Sequence, residues 1–293
     1  MMDKFDKLFD QYDFSLTDKM VRAEVNEIIS ENLQKNKTKK VYTKLLSFVD
    51  LTSLNTDDTV ERIVGLTQKL NDFDTKFDAL PHPAAICVYP VFVPVVKDTL
   101  SEDVAIATVA GGFPHSQTFA EVKVAETALA VMEGATEIDV VLPVGNFLSG
   151  NFQEVYDELF DIKSSCRDAK LKVILETGVL KRVDAIKQAA IIAMAAGADF
   201  IKTSTGKTDC GATLEAAYII CQSIKEFNSM NKTKVGFKAA GGIADVEEAV
   251  KYYTIVESLL GEQWLSPTLF RIGASRLVNN LLTEVTGGEV KYF

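Results

Sequence analysis

Three successive segments of the sequence decide the fold: KVILETG (172–178), FIKTST (200–205) and VGFKAAGG (235–242). Each is short and mostly apolar at successive positions, and small or polar residues follow it. Near-continuous apolar runs of this length are typical of parallel β-strands that are covered on both faces. We therefore predict that the three segments are neighbouring strands of one parallel sheet.

Further segments of the same character bring the number of predicted strands to eight. They are SFVDLTS (47–53), AAICVYP (84–90), AIATVAGG (105–112), EIDVVLP (137–143) and RIGAS (271–275). Apolar residues recur at helical spacing between them, as in the stripes Val122, Ala125, Leu129 and Met132; Val155, Leu159 and Ile162; and Leu214, Ala217, Cys221 and Ile224. Eight alternating strands and helices predict an α/β fold of the (β/α)8 TIM-barrel type. A doubly wound open sheet is the alternative, but no GxGxxG motif follows the first strand.

The first forty residues lie outside this alternation. Val21, Val25 and Ile28 form one helical stripe after a possible cap at Thr17, and the run from Glu31 to Lys40 is polar and rich in lysine. We predict that residues 1–40 are an N-terminal helical extension with a linker. Residues 41–293 are then the barrel and a C-terminal tail.

Composition excludes several classes of protein. The chain has 293 residues and a formal net charge of −10, which disfavours a nucleic-acid partner. The longest apolar run, residues 189–198, is shorter than the roughly 18 residues that suggest a membrane span. The charged N-terminus has no signal-peptide pattern, and four cysteines without a C-x-x-C pair favour free thiols in the cytoplasm. With two histidines the chain offers little for a metal, and we expect no metal and no cofactor.

Charged residues on the predicted strands indicate a catalytic site. Lys202, Lys238, Asp139 and Glu176 lie on four apolar strands, where an unpaired charge costs several kcal/mol. A barrel builds its active site at the carboxyl ends of its strands, so we expect these groups to meet. For any one of them, a buried ion pair such as Lys238–Glu176 is the alternative.

The two lysines predict imine chemistry. If both point into the barrel, burial and mutual repulsion favour the neutral amine. Lowering a lysine pKa from about 10.4 to near 7 requires roughly 4–5 kcal/mol. A neutral lysine condenses with an aldehyde or ketone to form a Schiff base, and Asp139 is placed to relay protons directly or through water.

Three glycine-rich strand ends indicate a phosphate site. The sixth strand runs into Ser204-Thr205-Gly206-Lys207, the seventh ends in Gly241-Gly242, and the eighth ends in Gly273-Ala274-Ser275. Barrels bind phosphate at the loops after strands seven and eight, where glycine lets backbone amides approach the anion. Lys207 adds a positive charge.

DFIKTSTGK (199–207), VGFKAAGG (235–242), EIDVVLP (137–143), ICVYP (86–90), VDLTSLN (49–55) and RIGAS (271–275) together resemble the deoxyribose-phosphate aldolase family. The likeness covers about residues 44–286. It implies a metal-free class I aldolase that interconverts 2-deoxy-D-ribose 5-phosphate with acetaldehyde and D-glyceraldehyde 3-phosphate. By this resemblance Lys202 is the Schiff-base lysine, Lys238 lowers its pKa, and Asp139 relays protons. The resemblance further assigns pocket-lining positions to Asp50, Thr52 and Cys87, and phosphate-binding segments to Gly206, Lys207, Gly241, Gly242, Gly273 and Ser275; Thr205 adjoins them as a further candidate substrate contact.

The sequence also departs from the family's pattern. Ala244 stands where many members have arginine, and Arg276 where some have a second serine. A Schiff-base aldolase for another phosphosugar or aldehyde pair is therefore an alternative, and a non-catalytic phosphosugar-binding barrel is another. The resemblance also implies a homodimer. Some members carry a tyrosine tail that reaches the active site, so Tyr292 is a candidate proton donor.

Overall fold

A computed structural model describes residues 4–293 of the chain, and its centre is a closed barrel of eight parallel strands. The strands are β1 (Val49–Thr52), β2 (Ala85–Val88), β3 (Ala105–Ala110), β4 (Glu137–Val141), β5 (Lys170–Ile174), β6 (Phe200–Lys202), β7 (Gly236–Ala240) and β8 (Phe270–Ala274). They pair in sequence order, and β1 pairs with β8 to close the ring. The predicted TIM barrel is confirmed, and the open sheet is excluded because the sheet has no edge.

Helices surround the barrel, as the alternation predicts. They are α1 (Lys4–Phe9), α2 (Asp18–Asn36), α3 (Lys39–Leu46), α4 (Val60–Asn71), α5 (Phe73–Lys76), α6 (Val93–Thr99), α7 (Ala120–Glu133), α8 (Val144–Leu148), α9 (Phe152–Ser165), α10 (Thr177–Leu180), α11 (Val183–Ala195), α12 (Leu214–Asn231), α13 (Val246–Leu260) and α14 (Leu277–Thr286). None of these helices in residues 4–293 combines the length and apolar character that crossing a membrane requires.

Two of the three helical stripes predicted between the strands are buried, and the third is exposed to solvent. On α9, Val155, Leu159 and Ile162 are fully buried, and α12 buries Ala217, Cys221 and Ile224. The stripe of α7 instead faces solvent, since Leu129 is 58% exposed and Met132 is 65% exposed.

The inward face of α7 is largely polar, with Ala130 as its one buried apolar residue, and this explains the difference. It buries Lys123 and Thr127, and the Lys123 ammonium donates to Glu158 Oε1 at 2.7 Å and to Ser116 Oγ at 2.8 Å. An ion pair therefore joins α7 to the neighbouring helix α9 where apolar contacts were expected. The apolar stripe is a face that residues 4–293 of the same chain do not cover.

The N-terminal extension packs along the outside of the barrel. Thr17 Oγ1 accepts from the Met20 amide and caps α2, as predicted, and Val21 and Val25 are buried. The helix packs on α12 and α13. The predicted linker is helical as far as Asn36, whose amide donates to Thr254 Oγ1 and Glu257 Oε2 at 3.1 and 2.9 Å. The first part of the polar run is therefore helical, and the last helical residue, Asn36, is anchored on α13.

Candidate active site

Lys202 and Lys238 lie side by side inside the barrel. They are register partners on β6 and β7, so both side chains point to the same face of the sheet. Lys202 is 3% exposed and Lys238 is 1% exposed, although both carry amines. The geometry that the sequence predicts for the two lysines is present.

Asp139 on β4 joins the two lysines. Its Oδ2 accepts a hydrogen bond from each ammonium, at 2.8 Å to Lys202 Nζ and 2.8 Å to Lys238 Nζ. Lys238 Nζ also donates to Asp50 Oδ2 on β1. Within residues 4–293, Lys238 forms ion pairs with Asp50 and Asp139 and not with Glu176, so the alternative pair Lys238–Glu176 is not formed.

A second layer of charge lies beneath these groups, and the sequence analysis missed it. Lys172 Nζ donates to Asp139 Oδ1 at 3.1 Å and to Glu137 Oε2 at 2.6 Å. Arg271 donates to Asp50 Oδ1 at 2.6 Å and to both oxygens of Glu137, at 2.8 and 3.0 Å. The sequence did contain a clue to this layer. Glu137 lies two positions before Asp139, and alternate residues of a strand point to the same face, so both side chains enter the barrel.

These seven side chains form one buried charge cluster of four basic and three acidic groups: Lys172, Lys202, Lys238, Arg271, Asp50, Glu137 and Asp139. Buried charges need partners, so a balanced cluster holds one amine without a charge. Within residues 4–293, Lys202 contacts a single carboxylate, and it shares that carboxylate with Lys238. Each of the other three bases contacts at least two acids, so Lys202 is the base that gives up its proton most readily.

The pKa shifts also separate Lys202 from Lys238. Burial is the largest influence on Lys202 and lowers its pKa; the Asp139 carboxylate opposes this, and the charge of Lys238 reinforces it. Burial also acts to lower the pKa of Lys238, but Asp139 and Asp50 outweigh it, so that pKa is raised. The expectation of an easily neutralised amine therefore applies to Lys202, whereas Lys238 keeps its proton.

Asp139 stays ionised for a related reason. Burial would raise the pKa of its carboxyl group, but Lys172, Lys202 and Lys238 lower it well below the ordinary value. A carboxylate with three ammonium neighbours accepts hydrogen bonds without taking a proton permanently.

A small pocket of about 230 Å³ opens above the lysines at the carboxyl ends of the strands. Nine predicted site residues line it: Thr52, Lys202, Thr205, Gly206, Lys207, Gly241, Gly242, Gly273 and Ser275. Ala244 and Arg276, the two departures from the family pattern, line it as well. Asp50, Asp139, Lys238 and Cys87 are not among the residues that line the pocket; they are fully or almost fully buried.

Glycine is required at the wall of this pocket by close backbone contacts. A Cβ on Gly211 would lie 2.2 Å from the Gly241 carbonyl oxygen, and Gly241 has a φ of +99°. A Cβ on Gly273 would lie 3.1 Å from Lys238 Cε. Gly273 therefore gives Lys238 room as well as lining the pocket.

Glu176 was expected to meet Lys202, Lys238 and Asp139 inside the barrel, and it lies elsewhere. It follows β5 with a φ of +54°, and its carboxylate accepts from the Thr205 and Thr208 hydroxyls at 2.5 and 3.3 Å. Lys207 lies in the same segment as Thr205, and its ammonium donates to the Leu54 carbonyl. Glu176 thus holds the segment that carries Thr205 and Lys207, and it does not contact the buried charge cluster.

Cys87 and Tyr292 complete the predicted site residues. Cys87 on β2 is the register partner of Thr52 and is buried, and burial raises the pKa of its thiol to about 11. Tyr292 is not brought to the lysines. Its ring packs on Phe77, and its hydroxyl donates to the Lys69 carbonyl near the end of α4. In this structure the Tyr292 hydroxyl is therefore held against the end of α4, and its contact with the lysines stays a prediction.

A buried amine below a polar pocket at the carboxyl ends of the strands is the arrangement of a TIM-barrel active site for a small molecule. Residues 44–259 match the model of the DeoC/LacD family aldolases. A Caenorhabditis elegans protein named "Putative deoxyribose-phosphate aldolase" is 42% identical over 266 residues, covering 88% of this chain and 87% of the relative. The chain therefore belongs to the DeoC/LacD family of aldolases, which are lyases.

Solved structures agree on the fold. The aldolase QR15 is 30% identical with a TM-score of 0.67, covering 83% of this chain and 96% of that one. A tetrameric deoxyribose phosphate aldolase from Aeropyrum pernix is 24% identical with a TM-score of 0.67, covering 88% of this chain and 97% of that one.

Proposed function

We propose that this chain is a class I aldolase that cleaves 2-deoxy-D-ribose 5-phosphate reversibly to D-glyceraldehyde 3-phosphate and acetaldehyde. The observation that carries the proposal is the excess of one base in the buried charge cluster. Lys202 is the base with one shared carboxylate, and it alone of the cluster lines the pocket. The name of the Caenorhabditis elegans relative supports the choice of substrate.

The first step uses Lys202 as the nucleophile. Its neutral amine adds to the aldehyde carbon of the open-chain sugar, and loss of water gives the protonated imine. Lys238 keeps its positive charge throughout, because Asp50 and Asp139 hold its proton. That charge disfavours protonation of Lys202 before the sugar arrives.

The second step breaks the carbon–carbon bond. Loss of the proton from the sugar's C3 hydroxyl sends electrons from the C2–C3 bond into the imine, which acts as the electron sink. D-Glyceraldehyde 3-phosphate leaves, and the resulting enamine takes a proton at C2. Hydrolysis then releases acetaldehyde and restores Lys202. Asp139 is the relay for these protons, directly or through water, because it lies 2.8 Å from Lys202 Nζ.

The phosphate is proposed to lie at the other end of the pocket. Gly206, Gly241 and Gly242 all have positive φ, and α14 begins directly after Ser275 and Arg276. Backbone amides at such turns and a helix N-terminus attract anions. Ala244 replaces an arginine that many family members have, and Lys207 and Arg276 supply the positive charge in its place. Asp50, Thr52 and Cys87 lie beneath or beside the sugar, and Gly273 and Ser275 border it.

Trapping of the imine tests the proposal. Borohydride reduction in the presence of acetaldehyde should leave one stable adduct, and peptide mapping should place it on Lys202. Lys202→Leu should abolish both the adduct and the cleavage of 2-deoxyribose 5-phosphate while the protein stays folded. An adduct at another lysine would overturn the assignment. An adduct on Lys202 together with turnover of a different phosphosugar would retain the chemistry and replace the substrate.

The remaining expectations are part of the same proposal. Because Lys202 carries the covalent chemistry, the reaction needs no metal and no cofactor. We also infer a cytoplasmic enzyme of deoxyribonucleotide catabolism, which acts on small molecules as a homodimer.

A further inference from the structure

A second cavity lies beside the segments that follow β5 and β6. It has a volume of about 480 Å³, within the range of about 300–1,000 Å³ that is usual for ligand pockets. Its walls come from the start of α2, from α10 and α11, from the segment between β6 and α12, and from the first turns of α12. The N-terminal extension therefore forms one side of it, and the barrel forms the other.

The cavity wall contains a thiol and an unused hydroxyl. Cys210 lines it and is exposed. Thr177 lines it too and is 4% exposed, and Thr177 Oγ1 has no hydrogen-bond partner within residues 4–293. The Thr177 hydroxyl thus has hydrogen-bonding capacity that residues 4–293 leave unused.

Cys210 is the accessible thiol among the four cysteines, all of which lie in the described chain. Cys87, Cys166 and Cys221 are buried. Burial raises the pKa of Cys87 to about 11 and of Cys166 to about 12, and it raises the pKa of Cys221 as well. Thiol chemistry requires access and the thiolate, so reagents in solution reach Cys210 first.

Cys210 is joined to the proposed phosphate site by short contacts. Its carbonyl accepts from the Thr208 hydroxyl at 3.2 Å, and that hydroxyl also reaches Glu176 at 3.3 Å. The next residue, Gly211, touches the backbone of Gly241. On the other side, a Cβ on Gly178 would lie 2.6 Å from the Cys210 carbonyl oxygen. The Cys210 segment is therefore continuous with the wall of the proposed phosphate site, and a shift of this segment on modification would reach Gly241.

The geometry points to Cys210 as a modification site for a small disulfide whose halves carry carboxylate and ammonium groups, with the attached half seated in the cavity and the proposed phosphate site weakened. This inference rests on the proposed function. The cavity wall offers matching charges of both signs, with Arg22 and Lys181 as cations and Asp18 and Glu215 as anions. A neutral disulfide would not use these charges.

The covalent step is thiol–disulfide exchange. The Cys210 thiol loses its proton, and its sulfur attacks one sulfur of the disulfide. The bond from Cys210 Sγ to that sulfur forms as the original sulfur–sulfur bond breaks. The other half leaves as a thiolate and takes up a proton. The incoming disulfide is thus the oxidant, and a free thiol reverses the step.

The experiment uses the full chain with glutathione disulfide as the probe. Peptide mass mapping should find one glutathionyl group, on Cys210. The KM for 2-deoxyribose 5-phosphate should then rise about fivefold or more, and a reducing thiol should restore it. Cys210→Ser is the matched control: it should gain no adduct and keep its KM.

A second arm tests the charged wall. In the double variant Arg22→Gln/Lys181→Gln, modification by glutathione disulfide should be slower, whereas modification by the uncharged bis(2-hydroxyethyl) disulfide should keep its rate. Absence of an adduct on Cys210, equal slowing with both reagents, or an unchanged KM after modification would each overturn the inference. Mass mapping does not depend on turnover, so a chain that gains the adduct but cleaves no deoxyribose phosphate would refute the proposed function instead.

Discussion

Lys202 and Lys238 share one carboxylate oxygen, since Asp139 Oδ2 lies 2.8 Å from each ammonium nitrogen. One oxygen does not neutralise two cations. Lys238 has Asp50 as a second partner, and Lys202 has no second carboxylate among its ion pairs in residues 4–293. The asymmetry between two otherwise similar lysines follows from this one difference.

Removing the charge at position 238 should move the proton to Lys202. In Lys238→Met the cluster has three bases for three acids, so a charged Lys202 becomes the balanced state. Activity at pH 7 should fall about tenfold for each unit by which the Lys202 pKa rises. The pH profile of kcat/KM should shift to higher pH. A profile that keeps its position while kcat falls would contradict the role assigned to Lys238.

Lys172 should act in the same way from the second layer. Lys172→Met removes a fully buried cation that contacts Glu137 and Asp139, and we expect a loss of about 3–5 kcal/mol in the free energy of unfolding. The pH profile should also move upward. The double variant Lys172→Met/Glu137→Gln removes one charge of each sign and restores the excess of one base. Its profile should return towards that of the unmodified chain, and a double variant that matches the single one would refute the charge-balance argument.

Lys207 should determine the preference for phosphorylated sugar. A charge-assisted contact is worth about 1.5–3 kcal/mol, so Lys207→Ala should lower kcat/KM for 2-deoxyribose 5-phosphate by about 10- to 100-fold. With unphosphorylated deoxyribose the value should change little. Equal losses on both sugars would show that Lys207 only holds its segment through the Leu54 carbonyl.

The C-terminal tail should matter for stability more than for turnover. Tyr292 and Phe293 pack on Phe73, and Asn279 accepts from both of their amides. Deleting residues 289–293 should lower the free energy of unfolding by about 2 kcal/mol through lost apolar burial. The kcat of the folded enzyme should be retained. A large fall in kcat at unchanged Tm would mean instead that Tyr292 leaves its place and reaches the site.

The sequence was sufficient for the barrel and the upper layer of the site. Strand segments show as apolar runs, and charges on such runs are conspicuous, which is why Lys202, Lys238 and Asp139 could be found. Glu137, Lys172 and Arg271 lie nearer the strand starts, where a charged residue looks like the end of a loop. Their partnership becomes visible only when the strands are in register.

Two other features depended on packing between distant elements. The stripe of α7 has the spacing of a buried face, but the Lys123–Glu158 ion pair turns the polar side inward. The polar run after Glu31 looks like a linker, but Asn36 finds two acceptors on α13 that are more than 200 residues away. Local pattern could not reveal either partner.

The protonation of Lys202 tests the central claim most directly. The measurement is the rate at which acetaldehyde and cyanoborohydride label Lys202, followed by peptide mapping across a range of pH. The labelling rate should reach half its maximum at a pH below the ordinary lysine value of about 10.4. Labelling that follows an ordinary lysine, or that spreads over other lysines at the same rate, would contradict the account.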